Sequence, residues 1–513
     1  MKYVLSAVVL FGGTSPALGQ FGPQQSISGV SDRPLSVHAI DLDGDGDVDV
    51  VSASSNDDTV AWYENLGGGV FGPQQVITNT ADGAYSVYAI DLDGDGDADV
   101  LCASAYDDRV FWHENLGGGS FGPQQVITIS AGSVVHVYAT DLDGDADADV
   151  LTASYDEDKI TWIENLGGGT FGPPQVITTS AVGAWTVYAT DLDGDSDADV
   201  LSASSTDAKI AWYENLGGGS FGPQQVITNA ASGATGVHAT DLDGDGDADV
   251  LAAIAWDDKI AWFENLGGGT FGPRQVIAPF VNWPTCVYAA DFDGDGDADV
   301  LSGSKDDDMV AWYENLGGGT FGPLQVITTS AEGAWRVFPI DLDADGDVDV
   351  LSASQWDDKI SWYENLMGGP VGVTYCSPAV SNSAGGPSTI RASGFDLAGG
   401  NSVILIADQL AQNQFGFFLN SMSQGATSNP GGSQGTLCLS GAIGRYNPAA
   451  GYPLQNSGAL GSISATLDLT STPTPAGLTS ITAGQTWNFQ CWYRDNNPGP
   501  TSNFTDGVSI TFL

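Results

Sequence analysis

Asp91-Leu-Asp-Gly-Asp-Gly-Asp-Ala-Asp99 sets five carboxylates on alternate positions of a nine-residue stretch. The string, or a near copy, begins at Asp41, Asp91, Asp141, Asp191, Asp241, Asp291 and Asp341, fifty residues apart each time. Self-similarity at a fixed period of this length means stacked supersecondary units, none able to bury its apolar face alone. Carboxylates packed this densely need a cation between them, and a hard one, because every donor is oxygen.

The candidate ligands are Asp41, Asp43, Asp45, Asp47 and Asp49 in the first loop and Asp91, Asp93, Asp95, Asp97 and Asp99 in the second. Asp141, Asp143, Asp145, Asp147 and Asp149 follow, then Asp191, Asp193, Asp195, Asp197 and Asp199. Asp241, Asp243, Asp245, Asp247 and Asp249 make the fifth set, and Asp291, Asp293, Asp295, Asp297 and Asp299 the sixth. Asp341, Asp343, Asp345, Asp347 and Asp349 complete the series. With Asp41 as position one, carboxylates stand at one, three, five and nine, and the carbonyl of Asp47 is available at seven. Gly46 stands at six, where the turn needs positive φ. Position twelve, where a helix-flanked calcium loop has glutamate, holds Ser52, Cys102, Thr152, Ser202, Ala252, Ser302 or Ser352, and the flanks read as strands, so an EF-hand is excluded. Ala146 and Ser196 replace the glycine at six, and Ala344 the one at four. A side chain at positive φ costs roughly 1 kcal/mol, so the Asp141 and Asp191 sites are expected to be the weakest. Up to seven structural Ca²⁺ ions are expected.

Each unit contains four strand-like runs. In the second these are Ser86–Ile90, Asp99–Ser104, Arg109–Leu116 and Phe121–Thr128, with Gly117-Gly-Gly119 turning between the last two. Four short antiparallel strands in about fifty residues describe one propeller blade. Phe-Gly-Pro first appears at 21, before any acidic loop, whereas the last Glu-Asn-Leu, at 364, is followed by none. The repeat is therefore cut out of phase with the blade, and Phe21–Ser28 is expected to pair with Lys359–Leu366 and close a ring of seven.

The pattern Asp-x-Asp-Gly-Asp-Gly-x-x-Asp before an apolar strand, with Gly-Gly-Gly-Thr-Phe-Gly-Pro between units, resembles the FG-GAP/VCBS-type repeat. That repeat is similar to the blades of the integrin alpha-subunit head, which implies a seven-bladed β-propeller with calcium in its loops over residues 21–370. The Gly-Ala-Pro that names the family is here Ser52-Ala-Ser54 and its equivalents.

The expected fold class is all-β, a seven-bladed propeller over 20–370 and a β-sandwich over 371–513. Five of the 65 acids lie after residue 370, which leaves 60 before it, so the tail is a compositionally separate domain. It is rich in Gly, Ser, Thr and Asn, with strand-like runs at Ser402–Ile406, Phe415–Leu419, Thr436–Leu439, Thr486–Tyr493 and Val508–Phe512. A net charge of −52 argues against nucleic acid as a partner. Residues 1–19 read as a signal peptide: Lys2, an apolar run Val4–Phe11 and a small-residue cleavage site at Ala17-Leu-Gly19. No segment is long and apolar enough to span a membrane. A secreted or cell-surface location follows, and a monomer is expected. Cys102 and Cys286 read as buried thiols, and a Cys376–Cys438 bridge is plausible, although spacing alone does not fix the pairing among Cys376, Cys438 and Cys491.

Because strand direction alternates, the acidic loops and the glycine turns emerge on one face and the variable loops on the other. The variable loops carry Tyr85, Trp185, Trp283 and Trp335 in one set and Tyr106, Tyr155, Trp256 and Trp356 in the other, beside acids such as Asp107, Asp257 and Asp357. These rings are the candidate surface for an extracellular glycan or protein; the competing reading packs them between blades. Trp62 and its six equivalents recur in every unit and read as packing. An enzyme reading has little to stand on: the four histidines are far apart in sequence, and Gly431-Gly-Ser-Gln-Gly435, which matches a nucleophile elbow, has no histidine after it. The sequence reads as a non-catalytic adhesion or recognition protein. A polysaccharide lyase or hydrolase is the alternative, and a structural matrix protein the third reading.

Overall fold

The computed structural model describes residues 20–366 except Ser130, and in the last third 373–376, 388–393, 403–430, 433, 435–446, 455–457, 462–482, 484–495 and 501–512. The signal peptide expected over 1–19 lies outside the described residues. Among those described there is no α-helix, and a 3-10 turn spans Ala255–Asp257.

The repeat region forms seven four-stranded antiparallel sheets. In the second repeat the strands are Ala84–Ile90, Asp99–Ser104, Arg109–His113 and Gln125–Thr128, paired in that order. The third and fourth strands are shorter than the sequence runs, because Phe121-Gly-Pro crosses as an irregular segment held by one bridge, Asn115 to Phe121. The innermost strand carries a register shift between Ala84 and Ser86, repeated in every unit. Such bulges increase local twist and let the sheets fan outward. Six sheets are built from consecutive strands. The remaining one takes its outer strand from the start of the chain: Gln25–Ser28 pairs with Lys359–Tyr363, and Leu366 N donates to Gln20 O at 2.6 Å.

The second strands read Asp-Val-Leu-Cys-Ala-Ser with no alternation, and Val100, Leu101 and Ala103 are all fully buried. Both faces of each sheet pack on a neighbouring sheet, so neither face can be polar. One such core joins Leu42, Val51 and Trp62 of the first repeat to Val87, Val100 and Phe111 of the second, and another joins Val37 and Tyr63 to Leu342 and Trp362. Trp62 and its equivalents are 3–4% exposed, which places them in these cores. The third glycine of each turn explains how they fit. A Cβ at Gly119 would run into the Trp62 ring of the preceding sheet, and Gly169, Gly219 and Gly269 lie likewise on Trp112, Trp162 and Trp212.

The asparagine of each Glu-Asn-Leu ties the sheets together. Asn115 Nδ2 donates to Leu42 O of the preceding sheet at 2.7 Å and to Ala98 O of its own at 3.0 Å. The same bond joins Asn165 to Leu92, Asn215 to Leu142, Asn265 to Leu192, Asn315 to Leu242 and Asn365 to Phe292. Asn65 reaches Leu342 O at 2.7 Å, so the circuit returns to its start.

In the tail, a six-stranded sheet and a three-stranded sheet share one core. Ile390, Leu405 and Ile463 from the smaller sheet pack with Phe418, Phe489 and Val508 from the larger. Cys376 and Cys438 form a disulfide, and Cys102, Cys286 and Cys491 are free and buried. Trp487 and Tyr493 belong to the core, whereas Trp492 is half-buried against Phe417. Asn503 of the sequence Asn503-Phe-Thr505, a glycosylation signal on paper, is fully buried in a strand paired to Tyr493. Folding therefore hides that acceptor.

Candidate metal loops and the aromatic axis

The acidic loop holds its shape through its own carboxylates. Asp41 Oδ1 accepts from Gly44 N at 2.7 Å and its Oδ2 from Gly46 N at 3.0 Å. Asp43 Oδ1 accepts from Asp45 N, and Asp45 Oδ1 from Asp47 N. Gly44 and Gly46 sit at φ +79° and +96°, where side chains are disfavoured. Ala146, Ser196 and Ala344 nonetheless adopt positive φ, at 75°, 78° and 62°. Position nine differs from the others: Asp49, Asp99, Asp149, Asp199, Asp249, Asp299 and Asp349 are completely buried. Asp49 Oδ2 accepts from Leu42 N at 2.9 Å and its Oδ1 from Asn65 N at 2.7 Å. The loop is thereby anchored to the residue whose side chain bridges the sheets.

Carboxylate oxygens of Asp91, Asp93 and Asp99 lie within 4.8 Å of one another, as do those of Asp141, Asp143 and Asp149, of Asp191, Asp193 and Asp199, and of Asp241, Asp243 and Asp249; in the first loop Asp41, Asp43 and Asp45 meet in the same way. Oxygens bound to one Ca²⁺ at about 2.3–2.6 Å can be no further apart than about 5 Å. The donor set and its spacing therefore fit a hard divalent cation, with positions one, three and nine as the main ligands. Asp45 and its equivalents at five are more exposed. Asp47 and its equivalents at seven turn toward the glycine turn, where Asp97 Oδ2 lies 3.3 Å from the place of a Cβ on Gly117. Acidic loops and glycine turns thus share one face. Burial pushes the position-nine carboxyls up, Asp49, Asp199 and Asp249 to about 6 and Asp99, Asp149 and Asp299 to about 7. The loop at Asp341 stands apart. Asp341 Oδ1 and both oxygens of Asp347 are buried without a partner, and burial with the neighbouring Asp345 carboxylate pushes Asp347 up to about 9.

On the opposite face the eight candidate rings fall into groups. Tyr85, Trp185 and Trp335 come from three different sheets and meet in pairs at 6.2, 6.3 and 6.3 Å between centroids. Tyr155 joins them against Trp185 at 5.5 Å. These four are half-buried around the axis, not between sheets. Tyr106, Trp256 and Trp356 are 62%, 53% and 53% exposed. Each lies on a glycine of its own repeat, Gly83, Gly233 and Gly333, where a Cβ would collide with the ring. Glycine with an aromatic residue 23 positions later is the sequence signal for this seat. Lys305 Nζ stands 4.3 Å from the Trp283 ring, 5.8 Å from Trp356 and 6.0 Å from Trp335. The acids beside the exposed rings are held in ion pairs: Asp107 with Arg109 at 3.2 Å, Asp257 with Arg274 at 3.0 Å and Asp357 with Lys359 at 2.7 Å.

Between the two faces runs an axis: the slot shared by His38 and His238 with Tyr88, Tyr138 and Tyr188 reads in sequence as a core or interblade position, but its convergence into one ring is not legible there. His38, Tyr88, Tyr138, Tyr188, His238, Tyr288 and Phe338 stand fifty residues apart and form a closed ring, each in contact with the next at 4.5–5.7 Å. One step toward the variable loops, Arg336 Nη2 meets His136 Nε2 at 2.9 Å, across 200 residues of sequence. Three of the four histidines therefore share one cavity. The fourth, His113, is buried elsewhere with Nδ1 on Gly122 O.

Repeated four-stranded sheets packed face to face in a circuit, with an acidic loop after each inner strand, define a propeller-type repeat protein. The FG-GAP-like repeat family matches six times, over residues 41–102, 91–152, 141–202, 191–252, 251–302 and 291–352. The chain belongs to that family. Solved structures with a similar fold include an Agrocybe aegerita lectin described as specifically recognising non-reducing terminal N-acetylglucosamine, with 23% identity, 57% of this chain and 80% of that one covered, and a TM-score of 0.44. Virginiamycin B lyase from Staphylococcus aureus has 12% identity over 67% of this chain and 99% of its own, with a TM-score of 0.47. A BBS1N chain in complex with ARL6DN has 10% identity over 68% and 97%, with a TM-score of 0.49. No curated protein matches the chain.

Proposed function

We propose that this is an exported recognition protein. Residues 20–370 act as a seven-bladed propeller whose acidic loops carry structural Ca²⁺, and residues 371–513 as a β-sandwich. Calcium would be held by the carboxylates at positions one, three and nine. It would supply positive charge that lets these acids ionise side by side, and so brace the contact made by each Glu-Asn-Leu asparagine. The target, a glycan or a protein outside the cell, binds on the variable-loop face.

The observation that supports this best is the seating of Tyr106, Trp256 and Trp356. Each residue is more than half exposed, on a glycine bed that fixes the orientation of its ring. A rigid aromatic plane held open to water suits stacking on a sugar face or anchoring a protein. A glycan array with the calcium-loaded protein tests this, run beside an assay for newly released sugar ends. Binding without turnover, weakened in Trp256→Ala or Trp356→Ala, is the expected result. Release of sugar ends would favour the polysaccharide-acting alternative, and neither binding nor release a structural role.

A further inference from the structure

We infer that the axial cavity binds a small organic molecule through its carboxylate. The cavity is about 280 Å³, just below the ~300–1,000 Å³ range of small-molecule pockets. Arg336 projects into it. Its side chain contacts His136 Nε2 at 2.9 Å and the Tyr288 ring at 5.4 Å. The six ion pairs among the described residues all lie elsewhere. The chain has 65 acids, yet none lines this cavity. Arg336 Nε, His136 Nδ1 and His38 Nδ1 are buried there with no hydrogen-bond partner.

Packing does not account for the arginine. The same slot holds Ser36, Ser86, Thr186, Gly236 and Cys286 in sibling repeats. Where these have a polar side chain, it bonds the backbone of the next inner strand, as Ser36 Oγ does with Val87 N at 3.2 Å. Only His136 and Arg336 are long enough to meet across the axis. A half-buried guanidinium with an unbonded, fully buried Nε and no counter-charge is costly, and its planar fork matches a carboxylate through two parallel N–H···O bonds. The histidines beside it are held neutral by burial and by that same positive charge; His136, whose Nε2 accepts from Arg336, keeps an Nδ1–H to donate, and His38 keeps an unbonded Nδ1. The walls contributed by Tyr188, Tyr288 and Phe338 are aromatic, which suits an organic body more than a bare inorganic ion.

The test uses the full chain at fixed free calcium, with calorimetry and thermal melts. Benzoate and glucuronate are the carboxylate probes, benzyl alcohol and methyl glucoside their neutral counterparts, and sulfate the inorganic arm. The expected result is saturable binding and a rising Tm with at least one carboxylate, none with its neutral counterpart, and a weaker response to sulfate. Arg336→Met should abolish binding, and Arg336→Lys, which keeps the charge but not the fork, should weaken it at least about tenfold. If Arg336→Met fails to fold, Arg336→Lys carries the test. No saturable carboxylate binding by the wild type, undiminished binding in the variants, or sulfate binding as tightly as benzoate would each overturn the inference. The outcome is separable from the glycan array, because this site is on the axis and not on the exposed rings.

Discussion

Removing divalent cations at pH 8 should cost this protein most of its stability. Take Asp249, completely buried and pushed up to about 6 in the cation-free fold from an ordinary 3.8. At pH 8 it is ionised in both states, and ionising it in the fold costs about 1.4 kcal/mol per pH unit of difference, or roughly 3 kcal/mol. The same carboxylate is buried in all seven loops. The cost of ionising it is already part of the cation's dissociation constant, so at ten times that constant a cation adds ~1.4 kcal/mol per site, or about 10 kcal/mol over seven, comparable to the ~5–15 kcal/mol by which domains are usually stable. Differential scanning calorimetry of chelator-treated protein at pH 8, against the same protein in millimolar calcium, should show a Tm lower by tens of degrees or no transition at all. A single-site arm sharpens the test. Asp93→Asn keeps an acceptor for Asp95 N, now at 3.2 Å, while removing one charge from a crowded loop. It should reduce the calcium-dependent gain by about one site's worth, ~1.4 kcal/mol, and leave the cation-free protein no less stable. Equal melts with and without chelator would refute the reasoning, as would an Asp93→Asn protein weaker by the same amount in both conditions.

Asn215→Ala removes the bonds to Leu142 O at 2.7 Å and Ala198 O at 3.0 Å; leaving these acceptors unpaired should cost about 3–5 kcal/mol in urea unfolding. Gly119→Ala meets the Trp62 ring as well as a φ of +64°, whereas Gly118, at φ +61°, has open space around it. The first substitution should therefore cost about 2–4 kcal/mol and the second about 1 kcal/mol, read as a difference in denaturation midpoint. His238 is pulled down from 6.5 to about 4, by burial first and Arg336 second. The unfolded chain takes up its proton first, so stability is lost as pH falls below about 6.5, by roughly 2 kcal/mol at pH 5. His238→Tyr, which installs the side chain of Tyr88 and Tyr188, should lose less between pH 7 and pH 5 in saturating calcium, and an identical loss would count against the assignment.

The fifty-residue period made the sheets, the acidic loops and the buried tryptophans legible, because each is repeated and each has a local signature. The propeller-type fold and its family followed from these. What stayed hidden depends on contacts between positions that sequence separates widely. Asn115 meets Leu42 across 73 residues, and a single repeat read alone shows only a polar residue after a strand. Tyr106 sits on Gly83, a pairing visible only when glycine and aromatic are compared across repeats. The sequence marks three departing loops, at Ala146, Ser196 and Ala344, and expects the first two to hold a cation most weakly; it does not show which of them changes its bonding. Those two loops keep the full bonding pattern, Ala146 N to Asp141 Oδ2 at 2.9 Å and Ser196 N to Asp191 Oδ2 at 3.0 Å. Ala344 stands instead where siblings have Gly44 N bonded to Asp41 Oδ1, and there Asp341 Oδ1 is without a partner.

The axis was the largest omission, and its cause is geometric. Far-apart histidines look unrelated in a line, but in a closed ring residues fifty apart stand side by side. His38, His136 and His238 converge for that reason alone, and so does Arg336. A ring of near-identical sheets gives every slot several equivalents, so departure from the common residue can be judged slot by slot. At the tryptophan slot nothing departs, and the residue packs. At the axial ring His38, His238 and Phe338 replace tyrosine with planar side chains of similar width, and the circle stays closed. One layer above, His136 and Arg336 replace small residues with long polar ones that leave buried nitrogens unbonded. Substitutions of that last kind raise the cost of folding, and the carboxylate ligand proposed for the axial cavity would supply the compensating interaction.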